Sequence, residues 1–242
     1  MIQTTSFVTM LLAKIPLVAI ASWAFKICIA PPHPPPPKGS KLIRANRAET
    51  EWYSYILTVY AARLQYFIAF LEITTILALT YPSSSLPASI LAYTGTPNLT
   101  LSAIPLIGFV LILTGASIRL STFHYMGPLF TFGASIHPNH RLITHGPYSF
   151  VRHPSYTGMM LSHPGWFLWQ FGRGSWVRES GVLGTVLGRT VVAMYAIFIV
   201  AFPLYLVLSR IKVEDRILKE KFGKKWEEWA GRVKYTVIPG IY

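Results

Sequence analysis

The sequence predicts an all-α integral membrane protein, with about five transmembrane helices and a cytosolic C-terminal helical segment. Three observations carry this. Apolar residues make up 52% of the chain and mean hydropathy is +0.43. Only 13% of residues are charged, against about 25% in a soluble domain. The charges that remain lie mostly between and after long apolar runs, and they are unbalanced, with a formal net charge of +13. In a soluble protein such an excess suggests nucleic acid. Placed beside apolar runs, it suggests the anionic cytoplasmic face of a bilayer.

A spanning helix needs about 20 mostly apolar residues. The first candidate runs from about Phe7 to Ala30, interrupted by Lys14, Pro16 and Lys26. It lacks the basic start of a cleaved signal peptide, so a retained span is expected. Residues Pro31 to Pro37 are nearly all proline, which predicts a stiff linker. Lys38, Lys41, Arg44 and Arg47 follow. The second span covers about Trp52 to Leu79 and holds Arg63 and Glu72, charges that at such depth usually face a bundle interior or else mark a short or tilted helix. An uncharged loop from Tyr81 to Leu99 leads to the acceptor triplet Asn98-Leu99-Thr100, weak support for a lumenal loop. The remaining spans are about Thr100 to Leu120, Ser155 to Phe171 and Val186 to Leu208. A polar, histidine-rich segment from Phe132 to His153 precedes the fourth. A short loop with Arg173, Arg178 and Glu179 precedes the fifth.

With five spans, the basic segments at Lys38 to Arg47, around Arg141 and Arg152, and from Arg210 to Lys234 fall on one side, predicted to be the cytosol. The domain reading is a first span at 1–30, a Pro-rich basic cytosolic linker at 31–51, second and third spans with a lumenal loop at 52–131, and a catalytic region at 132–242. The single cysteine, Cys28, can form neither an internal disulfide nor a zinc site. It reads as a packing residue among Ile27 and Ile29.

Two segments do not look like membrane packing. The first runs from His140 to Gly158. Gly146-Pro147 predicts a turn that brings backbone close to a ligand. Arg152 and His153 stand before Pro154, which can open a helix, so donors gather at a helix N-terminus where anions are favoured. The second begins at Arg210. Arg210 and Glu214 are four apart and share a helix face, Leu218 and Phe222 continue the stripe, and Gly223 predicts a stop. Phe222, Trp226 and Trp229 are spaced for one helical face expected to rest on the membrane surface.

In order and spacing the two segments together resemble the isoprenylcysteine carboxyl methyltransferase family. The first signature is filled by His140, Leu142, Ile143, Thr144, Gly146, Tyr148, Arg152, His153, Pro154, Tyr156 and Gly158. The second is filled by Arg210, Glu214-Asp215, Leu218 and Phe222-Gly223. The match covers about the last hundred residues. It departs from the pattern at Asp215, where the family often has Glu, and at Trp226 and Trp229, where it favours Tyr after the Phe-Gly. The resemblance implies an enzyme that uses S-adenosylmethionine, held by His140, Thr144, Gly146, Tyr148, Arg152, His153, Pro154, Tyr156, Glu214 and Asp215. Arg210, Glu214 and Arg152 are the implied catalytic residues. It implies a prenylated, cysteine-terminated protein or peptide substrate drawn from the bilayer, as in CaaX processing, an endoplasmic reticulum location and no metal.

Three alternatives stay open. A phospholipid or small-amine N-methyltransferase of the same architecture would need a base, with His140, His153 or Glu214 available. A sterol-reductase-like membrane oxidoreductase would use a nicotinamide cofactor. A transporter or scaffold would use Arg63 and Glu72, but it leaves the His140 to Gly158 string unexplained.

Overall fold

The computed structural model describes residues 2–34, 43–44, 48–81, 89, 91, 96–131, 135–136 and 140–240. His137, Lys38, Lys41, Arg47, most of the loop between Tyr81 and Leu99, and the last two residues lie outside them.

All five apolar runs are helical. They form α1 (Ile2–Ile29), α2 (Ala48–Thr80), α3 (Ala103–Met126), α4 (Pro154–Phe171) and α6 (Val186–Phe222). The short α5 (Trp176–Glu179) stands between the last two, and α7 (Lys224–Arg232) follows. The only strand pairing among the described residues is a two-residue antiparallel bridge, β1 (Ile43–Arg44) with β2 (Ser135–Ile136). Phe7–Ile29, Tyr53–Thr80 and Ala103–Leu129 are each long and apolar enough to cross a membrane, and Val186–Ile199 is a shorter apolar stretch. Large apolar side chains stay uncovered along these helices: Trp23 is 53% exposed, Phe70 60% and Met194 67%. Water does not tolerate such a surface, and acyl chains do. The fold is that of an all-helical integral membrane protein.

The chain forms two compact units. One comprises residues 1–26, 61–113 and 161–199, the other 27–60, 114–160 and 200–242.

The first unit is built round polar groups that satisfy one another. Lys14 is 1% exposed and Glu72 likewise, and they pair at 2.5 Å. The other donors of the Lys14 ammonium go to the Leu99 carbonyl at 3.2 Å and to the Gly174 carbonyl. The ammonium's three protons thus have three acceptors. Gln65 Oε1 accepts from Trp166 Nε1 at 2.8 Å and Gln170 Nε2 at 3.0 Å, while its Nε2 donates to Ser22 Oγ at 3.2 Å. The Trp166 ring stacks on Phe25 and meets Tyr195 edge-on. Helices α3 and α4 touch through glycine: a Cβ on Gly108 would lie 2.5 Å from the Gly165 carbonyl oxygen. Small residues permit such close backbone approach in membranes.

The second unit repeats the contact at Gly158, where a Cβ would meet the Gly115 carbonyl oxygen at 2.6 Å. Its apolar core joins Tyr156 and Met159 of α4, Ile211 of α6 and Val237 of the tail. Cys28 is fully buried here, as its apolar neighbours predict. Helix α6 continues past its apolar stretch and stops at Gly223, whose φ of +52° suits glycine.

Candidate active site

The site lies wholly in the second unit and begins at the N-terminus of α4. Pro154 opens that helix, as the sequence predicts. The backbone amides before it are already taken: Arg152 N donates to the Tyr235 carbonyl at 3.0 Å and His153 N to the Thr236 carbonyl at 2.8 Å. The Arg152 guanidinium holds the same tail. It donates to the carbonyls of Val233 at 3.0 Å and Lys234 at 2.8 Å, and to Thr236 Oγ1 at 2.8 Å. These donors therefore fasten the C-terminal segment to α4, which leaves the expected helix-end anion site filled by protein.

The two signature segments meet through five side chains, Arg152, His153 and Tyr156 of the first and Glu214 and Asp215 of the second. Tyr156 OH donates to Glu214 Oε1 at 2.8 Å, bridging positions 58 residues apart. The His153 ring stands between two carboxylates, with Nδ1 3.3 Å from Glu214 Oε2 and Nε2 2.9 Å from Asp215 Oδ1. Arg152 Nε is 3.4 Å from Asp215 Oδ2, and Arg210 Nε is 3.8 Å from Glu214 Oε1. Arg210 is 7% exposed, so its pairing with Glu214 is a buried contact where a surface pair would be the ordinary outcome.

Burial shapes the protonation states. For His153 it opposes the charge, but hydrogen bonds to Asp215 and Glu214 and their negative charges outweigh it, so the imidazole is pushed up to about 9. Burial likewise opposes ionisation of Glu214. The His153 hydrogen bond, the Arg210 and His153 charges and the Tyr156 hydroxyl win there too, and hold its carboxyl below the usual range. Tyr148 is pushed up by burial and then by Glu214. At neutral pH the cluster is an imidazolium between two carboxylates, with neutral phenols beside it.

Local sequence explains the rest of the wall. Gly146 adopts φ +62°, and a Cβ there would lie 2.4 Å from the Tyr125 ring. The turn that follows, Gly146–Ser149, carries Tyr148 inward. Its carbonyl accepts from Trp229 Nε1 at 3.1 Å. Trp229 is only 3% exposed. The expectation that Phe222, Trp226 and Trp229 share one face on the membrane surface is thereby corrected: Gly223 breaks the helix between them, and α7 turns Trp229 into the site.

Of the sequence-predicted residues, His140, Tyr148, Arg152, His153, Pro154, Tyr156, Arg210 and Glu214 line one cavity. Thr144, Gly146 and Asp215 do not line it: Gly146 backs onto Tyr125, and Asp215 stands behind His153 and Arg152. The cavity draws on residues the sequence reading did not single out, among them Arg119, Met126 and Phe130 near the end of the third apolar run, and Met159. Arg119 carried a signal, being a charge inside an apolar run, yet it lies so near the end of that run that it reads as a flanking residue. Among the described residues no group of three or more His, Cys, Asp or Glu is placed to hold a metal ion.

An all-helical membrane protein with a mainly apolar cavity that carries a cluster of charged side chains, assembled from the start of one helix and the charged extension of another, is the class that fold and site define. A family model described as phospholipid methyltransferase matches residues 104–178, which run from α3 to α5. The chain is 30% identical over 140 residues to a probable protein-S-isoprenylcysteine O-methyltransferase of Oryza sativa subsp. indica, covering 56% of this chain and 61% of that protein. It is 27% identical over 128 residues to protein-S-isoprenylcysteine O-methyltransferase B of Arabidopsis thaliana, covering 52% of this chain and 55% of that protein. A shorter stretch of 47 residues is 43% identical to 7-dehydrocholesterol reductase of Arabidopsis thaliana, 19% of this chain and 11% of that protein. No solved structure matches. The resemblance to the isoprenylcysteine methyltransferases, drawn first from two signatures, thus holds over about half of the chain, which spans little more than half the length of these methyltransferase relatives.

Proposed function

We propose that the chain is a membrane methyltransferase that uses S-adenosylmethionine to convert the C-terminal carboxylate of a prenylated cysteine into a methyl ester. The observation that carries this is the junction of the two signature segments on one cavity, through Tyr156–Glu214 and through His153 between Glu214 and Asp215. In this reading the site faces the cytosol from an endoplasmic reticulum membrane. Residues 132–242 form the catalytic region, with 1–30, 31–51 and 52–131 as first span, linker, and second and third spans.

The residues present fit the donor. Tyr148, Tyr156, Phe130 and Trp229 give the cavity aromatic faces, which attract a sulfonium cation. Glu214 remains ionised, and a carboxylate has about four lone-pair sites, so it keeps acceptor capacity beyond its present partners. His140, Tyr148, Tyr156 and Glu214 would hold the donor, with Glu214 on a ribose hydroxyl or the amine. Pro154 opens α4 at the wall, and Thr144, Gly146 and Asp215 act behind that layer, by shaping the turn and fixing His153. Bound S-adenosylmethionine supplies an electrophilic methyl group on sulfur.

The protein's own work is positioning. An α-carboxylate with pKa about 3.5 is ionised at neutral pH and needs no general base. Arg210, held beside Glu214, orients that carboxylate through its planar fork. Arg152 and Asp215 hold the tail and His153 in place. Apolar wall residues such as Met159 and Phe130 exclude water, and alignment of this kind is worth on the order of 7–11 kcal/mol.

The phospholipid methyltransferase description of the matching family model favours a second reading, an amine acceptor. An ammonium must lose a proton before it attacks. His153 is a poor base for this, because it is already protonated at neutral pH and both ring nitrogens face carboxylates. The test uses detergent-purified protein with radiolabelled S-adenosylmethionine and N-acetyl-S-farnesylcysteine. A base-labile methyl product is expected. A base-stable product made only with an aminolipid would replace this reading with the second. Binding of reduced nicotinamide without any sulfonium binding would point to a reductase. Arg210→Ala is expected to abolish turnover with donor binding largely kept, and Tyr148→Ala or Glu214→Ala to weaken the donor.

A further inference from the structure

The second unit holds a buried cation that the proposed chemistry does not yet use. Arg119 lies on α3, is 5% exposed, and lines the cavity with Tyr148, Tyr156, Arg210 and Glu214. Its Nε donates to the Ile27 carbonyl at 2.9 Å. Its Nη1 donates to Ser155 Oγ at 2.7 Å, and the Ser155 carbonyl lies 3.4 Å away. One face of the guanidinium lies over the Phe123 ring, 5.0 Å from its centroid. The stem crosses α4 where Gly158 leaves room, since a Cβ there would sit 2.8 Å from Arg119 Cγ.

Every partner named is neutral. Among the described residues no carboxylate pairs with Arg119, whereas Arg210 has Glu214 and Arg152 has Asp215. Four cations (Arg119, Arg152, His153 and Arg210) line the cavity with one carboxylate, Glu214, and a second, Asp215, stands behind His153 and Arg152. A buried charge is retained at such cost only where something compensates it. A pinned, planar guanidinium beside an open cavity is built to take a carboxylate.

We infer that Arg119 is a carboxylate-binding residue of this cavity, completed by a ligand and not by the protein. This rests on the methyltransferase reading, in which two ligand carboxylates exist: the one on the donor's amino-acid end and the one on the acceptor cysteine. Each has the chemistry Arg119 lacks a partner for.

The experiment separates them. S-adenosylmethionine and its decarboxylated analogue are titrated into wild-type protein, Arg119→Gln and Arg119→Lys. N-acetyl-S-farnesylcysteine and its amide are compared as acceptor and as competitor. If the donor carboxylate is the ligand, decarboxylation weakens wild-type binding by about tenfold or more. Arg119→Gln then erases that difference and Arg119→Lys restores part of it. If the acceptor carboxylate is the ligand, donor affinity is unchanged in Arg119→Gln. KM for the acceptor rises by about tenfold or more, with a smaller change in kcat. Flat responses in both arms, in a variant with wild-type melting temperature, overturn the proposal and leave Arg119 as a strut between Ile27 and Ser155. Should the variants fail to fold, the wild-type pairs decide alone: equal affinity for acid and decarboxylated donor, and for acid and amide competitor, overturns it. Wild-type protein that binds no sulfonium donor sinks the methyltransferase reading with it. Donor binding without carboxylate preference sinks only the role of Arg119.

Discussion

His153 shows how much one residue of this site depends on its neighbours. Its ordinary value is 6.5 and its folded value about 9. A raised folded value means that the stabilisation is complete below about pH 6.5 and is lost as pH climbs through about 9. Its full size, below about pH 6.5, is on the order of 3 kcal/mol, and it declines to nothing by about pH 9. Glu214 acts with the opposite sign: its lowered folded value gives stabilisation that is present above the ordinary glutamate range and lost as pH falls. The purified protein is therefore expected to lose thermal stability between about pH 6.5 and pH 9, and His153→Gln to flatten that limb. A melting temperature in the wild type that does not move across this interval would contradict the charged clasp. His153 was legible as a site residue because it stands in a dense polar string. Its two carboxylate partners were legible as a pair in the second signature, though not which oxygen each nitrogen meets. Arg119 was not legible, because one basic residue near the end of an apolar run cannot be told from a topology signal without knowing what its helix faces.

At the scale of elements, the helices themselves were readable and their faces were not. Twenty-residue hydropathy marks α1, α2 and α3 directly, since the bilayer sets their length. Lys14 reads as an interruption of α1, and Glu72 reads as a charge in α2 with no evident purpose. Their pairing depends on how the two helices are rotated, which periodicity this uniform in hydrophobicity does not encode. The clasp has a consequence. Lys14→Met leaves Glu72 buried without a counter-charge and is expected to destabilise the first unit by about 3–5 kcal/mol. Lys14→Met with Glu72→Leu removes both charges and is expected to recover part of that loss. Recovery stays incomplete because the Leu99 and Gly174 carbonyls lose their donor as well. Denaturation in detergent of these two variants, of Glu72→Leu alone and of the parent, read as a double-mutant cycle, measures the coupling. Additive effects would mean that the 2.5 Å contact holds nothing together.

For the whole molecule, composition decides the solvent and the placement of basic residues predicts the orientation. The chain carries 22 Lys and Arg against 9 Asp and Glu, and α6 and α7 after Ser209 are among its most highly charged stretches. Positive segments are retained on the cytosolic side during insertion, so the tail that supplies Arg210, Glu214 and Trp229 is expected to face the cytosol. The protein offers a clean means of checking this. Its one thiol, Cys28, is fully buried, and Lys225 on α7 is exposed. In sealed microsomes, where the outer face is cytosolic, a membrane-impermeant maleimide should leave the parent chain unlabelled and label Lys225→Cys without permeabilisation. Labelling that appears only after detergent would put the tail in the lumen. A cytosolic donor and a cytosolic prenylated substrate would then have no access to the cavity, and the orientation drawn from charge would have to be reversed.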